Sequence, residues 1–204
     1  MLAGMFVILT GDIVSSSDLS ASDVDATLQA AREVAQTLQA WPGVAQCGFA
    51  RRGGDAWQLA FDVPRLGLRS ALYLHASLRR LHKARASRIA IAEGAGRMPD
   101  HDPNAAHGAG FTASGRTLEG MQSTLLFDHA AGGPKAAAAR LAGHIAQGWT
   151  QAQARAVAEQ VQPQAGPRAE AAARLGITRQ AVDQALWAAG FPVLEAALSA
   201  WEGE

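Results

Sequence analysis

Cysteine is nearly absent from this sequence, since Cys47 is the single one among 204 residues. The chain therefore cannot form an internal disulfide framework, and its composition fits a reducing cytoplasm. Long apolar runs are absent too, because none approaches the ~18–20 residues of a membrane span. The apolar stretch near the N-terminus has no cationic region before it and no small-residue cleavage site after it. We therefore expect a cytoplasmic protein without a signal peptide or a membrane partner.

Acidic residues are missing from Val63 to Ala92, although the whole chain is neutral, with 18 Lys+Arg and 18 Asp+Glu. A stretch of this kind is most often one solvated helix face. The alternative is a surface that meets phosphate, from a nucleotide or from DNA. The basic residues of the stretch are Arg65, Arg69, Arg79, Arg80, Lys83, Arg85 and Arg88.

Apolar periodicity predicts alternating strands and helices over the first 130 residues or so. The second helix is expected to place Leu68, Leu72, Leu74, Leu78 and Leu81 on its inner side. The order of elements predicts the α+β class, as a βαββαβ sandwich with an antiparallel sheet and helices on one of its faces. The predicted elements are strand Gly4–Ile13, helix Asp23–Ala40 capped by Ser20 or Ser22, strands Val44–Ala50 and Ala56–Phe61, helix Pro64–Lys83, strand Arg88–Ala92, a polar loop Gly94–Gly110, helix Phe111–Met121 and a short strand Thr124–Phe127.

The last third of the chain has a purely helical pattern. It follows Gly132-Gly133-Pro134, so we expect an α+β domain over 1–133 and an all-α domain over 138–204. Three short helices are predicted between residues 150 and 190, with caps at Thr150, Pro167 and Thr178.

Two aspartates follow predicted strands where the sheet would bring them together. Asp12 ends the first strand, and Asp55 lies in the turn between the second and third strands. Because the first strand of a βαββαβ sheet lies beside that hairpin, the two carboxylates can face each other. Such a pair suits two divalent cations that assist phosphoryl transfer. Alternatively, they are unrelated turn residues, since aspartate is common beside glycine.

Four segments between residues 5 and 121 carry a further signal. They are VILTGDIVSS at 7–16, RRGGDAW at 51–57, RIAIAEG at 88–94 and GAGFTASGR at 108–116. In this order they resemble the palm-type domain of class III nucleotidyl cyclases, and more closely the bacterial SatD-like proteins related to them. The resemblance implies a cyclase-like, ferredoxin-like sheet that binds a nucleotide, and a site formed between the subunits of a homodimer.

The resemblance also assigns roles to residues. It implies that Asp12, the backbone carbonyl of Ile13 and Asp55 hold Mg²⁺ or Mn²⁺. Ser15, Ser16 and Ser17 would offer donors to a nucleoside triphosphate, or simply cap the next helix. In a dimer, Arg116 and Thr112 of one chain would be catalytic residues facing the aspartates of the other. Arg51 falls at the position that selects the base, so we count it as a nucleotide-binding residue.

The chain departs from the family pattern at three positions. Thr112 stands where the cyclases have an asparagine, Arg51 where they have lysine or glutamate, and Ala105 at the second base-selecting position. These changes favour nucleotide binding over cyclase turnover. Glu93 is a candidate third metal ligand, although a surface strand end is the expected role. His101 and His107 lie in a polar loop without the spacing of a metal site, so we expect both to be solvated.

The C-terminal helices are similar to the helix-turn-helix modules of bacterial regulators. A glycine turn joins two short helices, and apolar residues recur with the spacing of a small core. The second of these helices would enter the major groove of DNA. Residues 136–204 carry five basic and six acidic side chains, which argues for weak DNA binding by a monomer. The candidate DNA-binding residues are Arg168, Arg174, Thr178, Arg179, Gln180, Asp183 and Gln184.

Three functions remain open from the sequence. The first is a transcriptional regulator that senses a metal–nucleotide ligand and binds DNA. The second is an active metal-dependent nucleotidyl cyclase or nucleotidyltransferase with an accessory helical tail. The third is an interaction protein, in which the helices serve dimerisation or packing and both sites are relics. We expect the first.

Overall fold

The computed structural model of the chain describes residues 4–203. Within that range it contains a five-stranded sheet and eight α-helices, which confirms the α+β class. No helix in that range is long and apolar enough to cross a membrane. The elements are β1 Gly4–Ile13, α1 Ala21–Gln39, β2 Cys47–Gly53, β3 Ala56–Phe61, α2 Gly67–Arg79, β4 Ser87–Gly96, α3 Ala109–Gly120, β5 Phe127–His129, α4 Gly133–Gln147, α5 Gln151–Gln160, α6 Arg168–Leu175, α7 Arg179–Ala188 and α8 Phe191–Glu202.

The sheet has the strand order β2-β3-β1-β4-β5. Strand β1 lies at its centre and pairs antiparallel with β3 and β4, while β5 pairs parallel with β4. The sheet is therefore mixed, because strands β1 to β4 pair antiparallel and β5 adds one parallel pairing. The reason is the long connection from β4 to β5, which contains α3 and returns the chain to the same end of the sheet.

Helices cover both faces of the sheet, not one face as predicted. Val7 and Leu9 of β1 belong to the main core, with α1 and α2. Phe6 and Ile8, from the alternate positions, pack in a second cluster with Phe111 of α3. Successive strand residues point to opposite faces, and β1 is apolar at both sets of positions. A strand of that kind needs cover on each side, which the sequence signalled by its uninterrupted apolar run.

Helix α2 is buried almost all round between the sheet and the C-terminal helices. Its basic residues are partly turned inward, which neither interpretation of the acid-free stretch anticipated. Arg69 forms an ion pair with Glu202 and donates to the carbonyl of Val161 at 2.8 Å. Arg79 donates to the carbonyl of Gln147. Leu81 lies beyond the helix end and is 48% exposed, so its predicted place on the inner side was wrong.

The C-terminal helices share a continuous hydrophobic core with the sheet. Trp149, between α4 and α5, donates its indole N–H to the carbonyl of Ala189 at 2.8 Å. Thr150 and Thr178 accept hydrogen bonds from backbone amides as helix caps, which confirms both predictions. The sequence pattern did not separate out α4 and α8, because their alanine-rich stretches have no clear starting cap.

Several element boundaries also differ from the sequence prediction. Strand β4 continues to Gly96, into the segment predicted as loop, and β5 lies later than expected at Phe127–His129. Helix α1 is capped by Ser20 rather than Ser22. The extension of β4 arises because Gly94, Ala95 and Gly96, which carry weak strand signals, are held in the sheet by pairing with β1.

Candidate functional site

The two candidate aspartates lie at neighbouring strand ends. Gly11 is the last residue of β1 that pairs with β3, opposite Trp57, so Asp12 comes directly after that pairing and Asp55 directly precedes β3. The pKa of Arg88 on β4 is raised, chiefly by its hydrogen bond to Asp12 and further by the charges of Asp12 and Asp55, against the effect of its own partial burial. The three charged groups therefore form one local cluster.

Asp12 is already engaged by Arg88 across the β1–β4 ladder. The Nε of Arg88 donates to Oδ1 of Asp12 at 2.9 Å, and its Nη2 donates to Oδ2. A third donor, Nη1, reaches the carbonyl of Met121 at 3.3 Å. The two side chains are 23% and 25% exposed, so this is a partly buried bidentate pair. Sequence reasoning missed it, although the basic residue that opens the fourth strand was the available signal.

The cluster does not fit a two-metal site as it stands. Both oxygens of Asp12 accept from a guanidinium, and a divalent cation beside Arg88 would face a like charge. Within residues 4–203 no group of three or more His, Cys, Asp or Glu side chains is placed to hold a metal ion. Ile13, whose carbonyl was expected to assist, has a buried side chain opposite Ser87. Metal binding there requires Arg88 to release Asp12.

A hollow of about 360 Å³ opens beside Asp55. Ser16, Ser17 and Arg51 line it with Asp55, so the structure brings together four of the residues that the resemblance selected. Arg51 donates from Nε to the carbonyl of Gly54 at 2.7 Å and from Nη1 to Asp25, which also lines the hollow, at 2.9 Å. This arginine fixes the hairpin turn while leaving its other donors exposed.

Ser15 has a different part in the turn after β1. Its backbone is left-handed, with φ of 52°, and its side chain is exposed. The helix cap is supplied by Ser20, so capping does not account for the three serines of residues 15–17. Their predicted contacts with phosphate stay a prediction.

Thr112 and Arg116 lie apart from the aspartates, on the outer side of α3. Together with Ala130 they line a separate hollow of about 470 Å³. Ser114, between them, faces inward and accepts a hydrogen bond from Thr10 of β1 at 2.7 Å. Residues two apart on a helix point in different directions, so Arg116 cannot share the direction of Ser114. One chain therefore does not bring Arg116 to Asp12 and Asp55.

A buried polar chain under α3 was also missed from the sequence. Gln58 of β3 donates to Thr10 at 2.9 Å, Thr10 donates to Ser114, and Ser114 lies within hydrogen-bond distance of the carbonyl of Phe111 at 3.0 Å. All three polar side chains are buried. These hydrogen bonds fix α3 on the sheet two residues along β1 from Asp12, which gives the Asp12 cluster a rigid base.

The helix pair α6 and α7 presents the candidate DNA-binding residues unevenly. Gly176 adopts a left-handed conformation with φ of 68°, and Thr178 caps α7 three residues after α6 ends. Arg179, Gln180 and Gln184 are exposed on α7. Asp183 accepts from Arg168 at 2.8 Å and lies 3.7 Å from Arg179.

The remaining cation of the predicted set is also neutralised within the protein. Arg174 donates to Glu159 at 2.6 Å and lies 3.7 Å from Glu170.

Trp187 on α7 is 78% exposed, a feature that was not predicted from the sequence. Its spacing from Gln180 and Gln184, seven and three residues, puts all three on one side of the helix. That side is therefore polar and aromatic, with little free positive charge.

Glu93 and the two loop histidines complete the predicted candidates. His101 and His107 are exposed, in line with solvated loop residues. Glu93 is neither beside the aspartates nor a plain surface residue. It pairs with Lys135 of α4 at 2.8 Å, on the opposite face of the sheet from Asp12.

Comparison of the sequence with models of known protein families gives no match, and comparison with curated proteins gives none. The resemblance to cyclases and SatD-like proteins therefore depends on the four sequence segments alone.

Proposed function

We propose that this protein is a DNA-binding transcriptional regulator whose N-terminal part binds a nucleotide. In this proposal, residues 1–133 form a cyclase-like βαββαβ domain and α6 and α7 form a helix-turn-helix. Two such chains act as a homodimer in the cytoplasm.

The observation that carries the proposal is the turn between α6 and α7. A left-handed glycine, a threonine cap and two short helices packed on α5 are the features by which a helix-turn-helix is built. Arg179, Gln180 and Gln184 stand exposed at the start of the second helix, where base contacts are made. The ion pairs of Arg168 and Arg174 predict low affinity, so both subunits of the dimer are needed.

The nucleotide part is supported by the hollow beside Asp55. Arg51 and the amide and hydroxyl groups of Ser16 and Ser17 suit the phosphates of a nucleotide. The placement of Arg116 in a different hollow suits a site completed by the second subunit. A metal ion, Mg²⁺ or Mn²⁺, joins the nucleotide only if Arg88 releases Asp12.

DNA binding is tested by gel shift on genomic fragments at several salt concentrations. The double variant Arg179→Ala and Gln180→Ala is expected to lose specific binding. Arg32→Ala with Gln36→Ala removes the same two residue types from the exposed side of α1 and serves as the matched control. Wild-type binding that survives unchanged in the α7 variant would remove the recognition helix from the proposal.

The nucleotide site is tested by equilibrium binding and by turnover. The full chain is incubated with each nucleoside triphosphate, with and without Mg²⁺ or Mn²⁺, beside the Asp55→Ala and Asp12→Ala variants. Binding without product supports the sensor. A product that disappears in both variants identifies the alternative, an active nucleotidyl cyclase or nucleotidyltransferase with an accessory tail.

A further inference from the structure

Helices α4 and α8 lie side by side and run antiparallel. Gly190, just before α8, lies against Ile145 near the end of α4, since a β-carbon at Gly190 would be 3.1 Å from Cγ2 of Ile145. At the other end of the pair, Nζ of Lys135 lies 5.2 Å from the centroid of the Trp201 ring. The first turn of α4 is therefore level with the last turn of α8.

The outward side of this helix pair is apolar. Leu141 of α4 is 66% exposed and Val193 of α8 is 67% exposed, although the inward sides of both helices belong to the main core. Spacings of three and four residues continue the same surface along each helix. The exposed alanines of this surface are Ala137 on α4 and Ala196, Ala197 and Ala200 on α8. We call these six residues the α4–α8 face, and exposed apolar patches of this kind mark interaction sites.

The charged residues of the two helices have opposite signs. Helix α4 carries only basic ones, counting histidine, and α8 carries only acidic ones. They are Lys135, Arg140 and His144 on α4, and Glu195 and Glu202 on α8. The lysine and the second glutamate form ion pairs with other parts of the chain. The other three are exposed and lie beside the α4–α8 face.

Arg140 and Glu195 are level with each other across the helix pair. Arg140 lies five residues before Ile145, and Glu195 lies five residues after Gly190. At 100° per residue, each of the two points away from the neighbouring helix, so the charges lie on opposite edges of the face. Arg140 uses Nε and Nη2 to bind Asp128 on its edge, which leaves Nη1 for another carboxylate.

This arrangement is complementary to itself. A two-fold axis parallel to the helices would lay α8 of a second copy on α4, and α4 of that copy on α8. Arg140 would then meet Glu195 of the partner subunit, twice in the dimer, at the edges of an apolar strip. The other two-fold arrangement, with α4 on α4, would bring Arg140 against Arg140 and Glu195 against Glu195.

We propose that the α4–α8 face is the interface of a homodimer, in which α4 and α8 of the two copies pack as four helices. The inference rests on the proposed function for the need of a dimer and adds the surface that forms it. A helix rises about 1.5 Å per residue and is about 10 Å wide, so the face measures roughly 20 Å by 20 Å. That is small for an interface, so we expect reversible dimers with a dissociation constant on the order of 10 µM.

The test is sedimentation of the full chain over a range of concentrations, without nucleotide or DNA. We expect a monomer–dimer equilibrium in the wild type. Leu141→Glu and Val193→Glu each put a carboxylate into the apolar strip, and each is expected to weaken the dimer about ten-fold or more. The matched control is Leu81→Glu, the same change at a leucine that is 48% exposed and lines a small hollow with Thr37 of α1.

The orientation of the two copies is tested by Glu195→Gln. With α8 on α4, this change removes an attraction at both edges and is expected to weaken the dimer about three-fold. With α8 on α8 it would remove a repulsion and tighten the dimer. Glu33→Gln, at an exposed glutamate of α1, is the control for the change of net charge.

Circular dichroism establishes that each variant is folded. The proposal is overturned if the wild type stays monomeric, or if Glu195→Gln tightens the dimer. It is also overturned if both glutamate variants of the α4–α8 face dimerise as the wild type does, which would place the interface elsewhere. A dimer that shifts no DNA contradicts the proposed regulator and leaves this interface standing, whereas DNA binding by a monomer contradicts the interface.

Discussion

Strand β4 carries both of the polar clusters described above, and they differ in one respect. Arg88, the second residue of the strand, faces α3, where its donors are matched by Asp12 and a backbone carbonyl. Glu93, five residues further, faces the opposite side, where one of its oxygens has no partner. The first cluster is complete within the protein, whereas the second leaves one carboxylate oxygen without a hydrogen bond among the described residues.

The difference teaches where to look for ligands in this chain. The sequence directed attention to Asp12, because a carboxylate at the end of an apolar strand is conspicuous. In the folded chain that carboxylate has an internal partner. The seam is the boundary between the sheet and the C-terminal helices, lined by Arg65, Glu93, Lys135 and Trp201. There, ionisable and aromatic side chains surround a hollow that none of them fills.

The largest effect is expected for Asp12→Asn. This change keeps the shape but removes the charge that Arg88 binds through two donors, leaving a partly buried guanidinium with a weak partner. We expect a loss of about 2–3 kcal/mol in the free energy of unfolding. Urea denaturation measures it, and a double-mutant cycle with Arg88→Met isolates the pair. If the free energy of unfolding falls by less than an exposed ion pair contributes, the bond between Asp12 and Arg88 does not satisfy these two groups.

A somewhat smaller effect on the free energy of unfolding is expected from the titration of His75. Its Nδ1 has no hydrogen-bond partner among the described residues, and it lines none of the hollows described above. It is buried in α2 between Phe127 and Trp149 and contacts the carbonyl of Ala146 through Nε2. Burial lowers its pKa to about 3, and the charge of Arg79 acts in the same direction. The unfolded ring takes up a proton below about pH 6.5, so stability is full above that pH and falls below it.

Between pH 7 and 5 this term amounts to about 2 kcal/mol. Urea denaturation at several pH values measures the slope, with His75→Gln as the comparison. The variant is expected to be less stable throughout but to show a flatter dependence on pH. An unchanged slope in His75→Gln would assign the acid sensitivity to other groups.

At the seam, Glu93→Gln is expected to cost only about 1 kcal/mol or less of unfolding free energy in the absence of ligand. It removes the ion pair with Lys135, but the other oxygen had no partner to lose. The measurement is again urea denaturation, side by side with Asp12→Asn. Equal losses in the two variants would end the distinction between a complete and an incomplete cluster.

The smallest effect is expected for Asp25→Asn, which removes the partner of Arg51. Both side chains are well exposed, at 46% and 65%, so the pair should contribute less than about 0.5 kcal/mol. Asp25 lines the same hollow as Asp55 but is exposed to solvent. The variant therefore separates the effect of position near the hairpin from the effect of burial. A loss comparable with that of Asp12→Asn would show that proximity to the hairpin, not burial, sets the energy.

Local patterns predicted much of the fold and the nearness of Asp12 and Asp55, but not the partners of the candidate residues. Apolar runs and caps identified β1, α1 and α7 because each depends on residues close in sequence. The hairpin position of Asp55 and its nearness to β1 followed from the order of elements. The partner of Asp12 did not, since Arg88 reaches it only through strand pairing 76 residues away.

The seam was beyond sequence reasoning for the same physical cause. Its members, from Arg65 to Trp201, belong to four segments that meet only after the helices pack. Trp201 has the spacing of an ordinary core residue of α8, and nothing in that spacing reveals an unpaired indole N–H. Likewise, α2 was predicted as a helix with one inner side, whereas tertiary packing buries it all round.

The burial of α2 has a consequence for how the chain folds and unfolds. One side of this leucine-rich helix packs on the sheet and the other side packs on the C-terminal helices. Arg69 and Arg79 donate hydrogen bonds to backbone carbonyls of the C-terminal region. Neither region can detach without exposing that surface to water. We therefore expect the chain to melt as one cooperative unit, so that a nucleotide or DNA bound anywhere on it raises the stability of the whole.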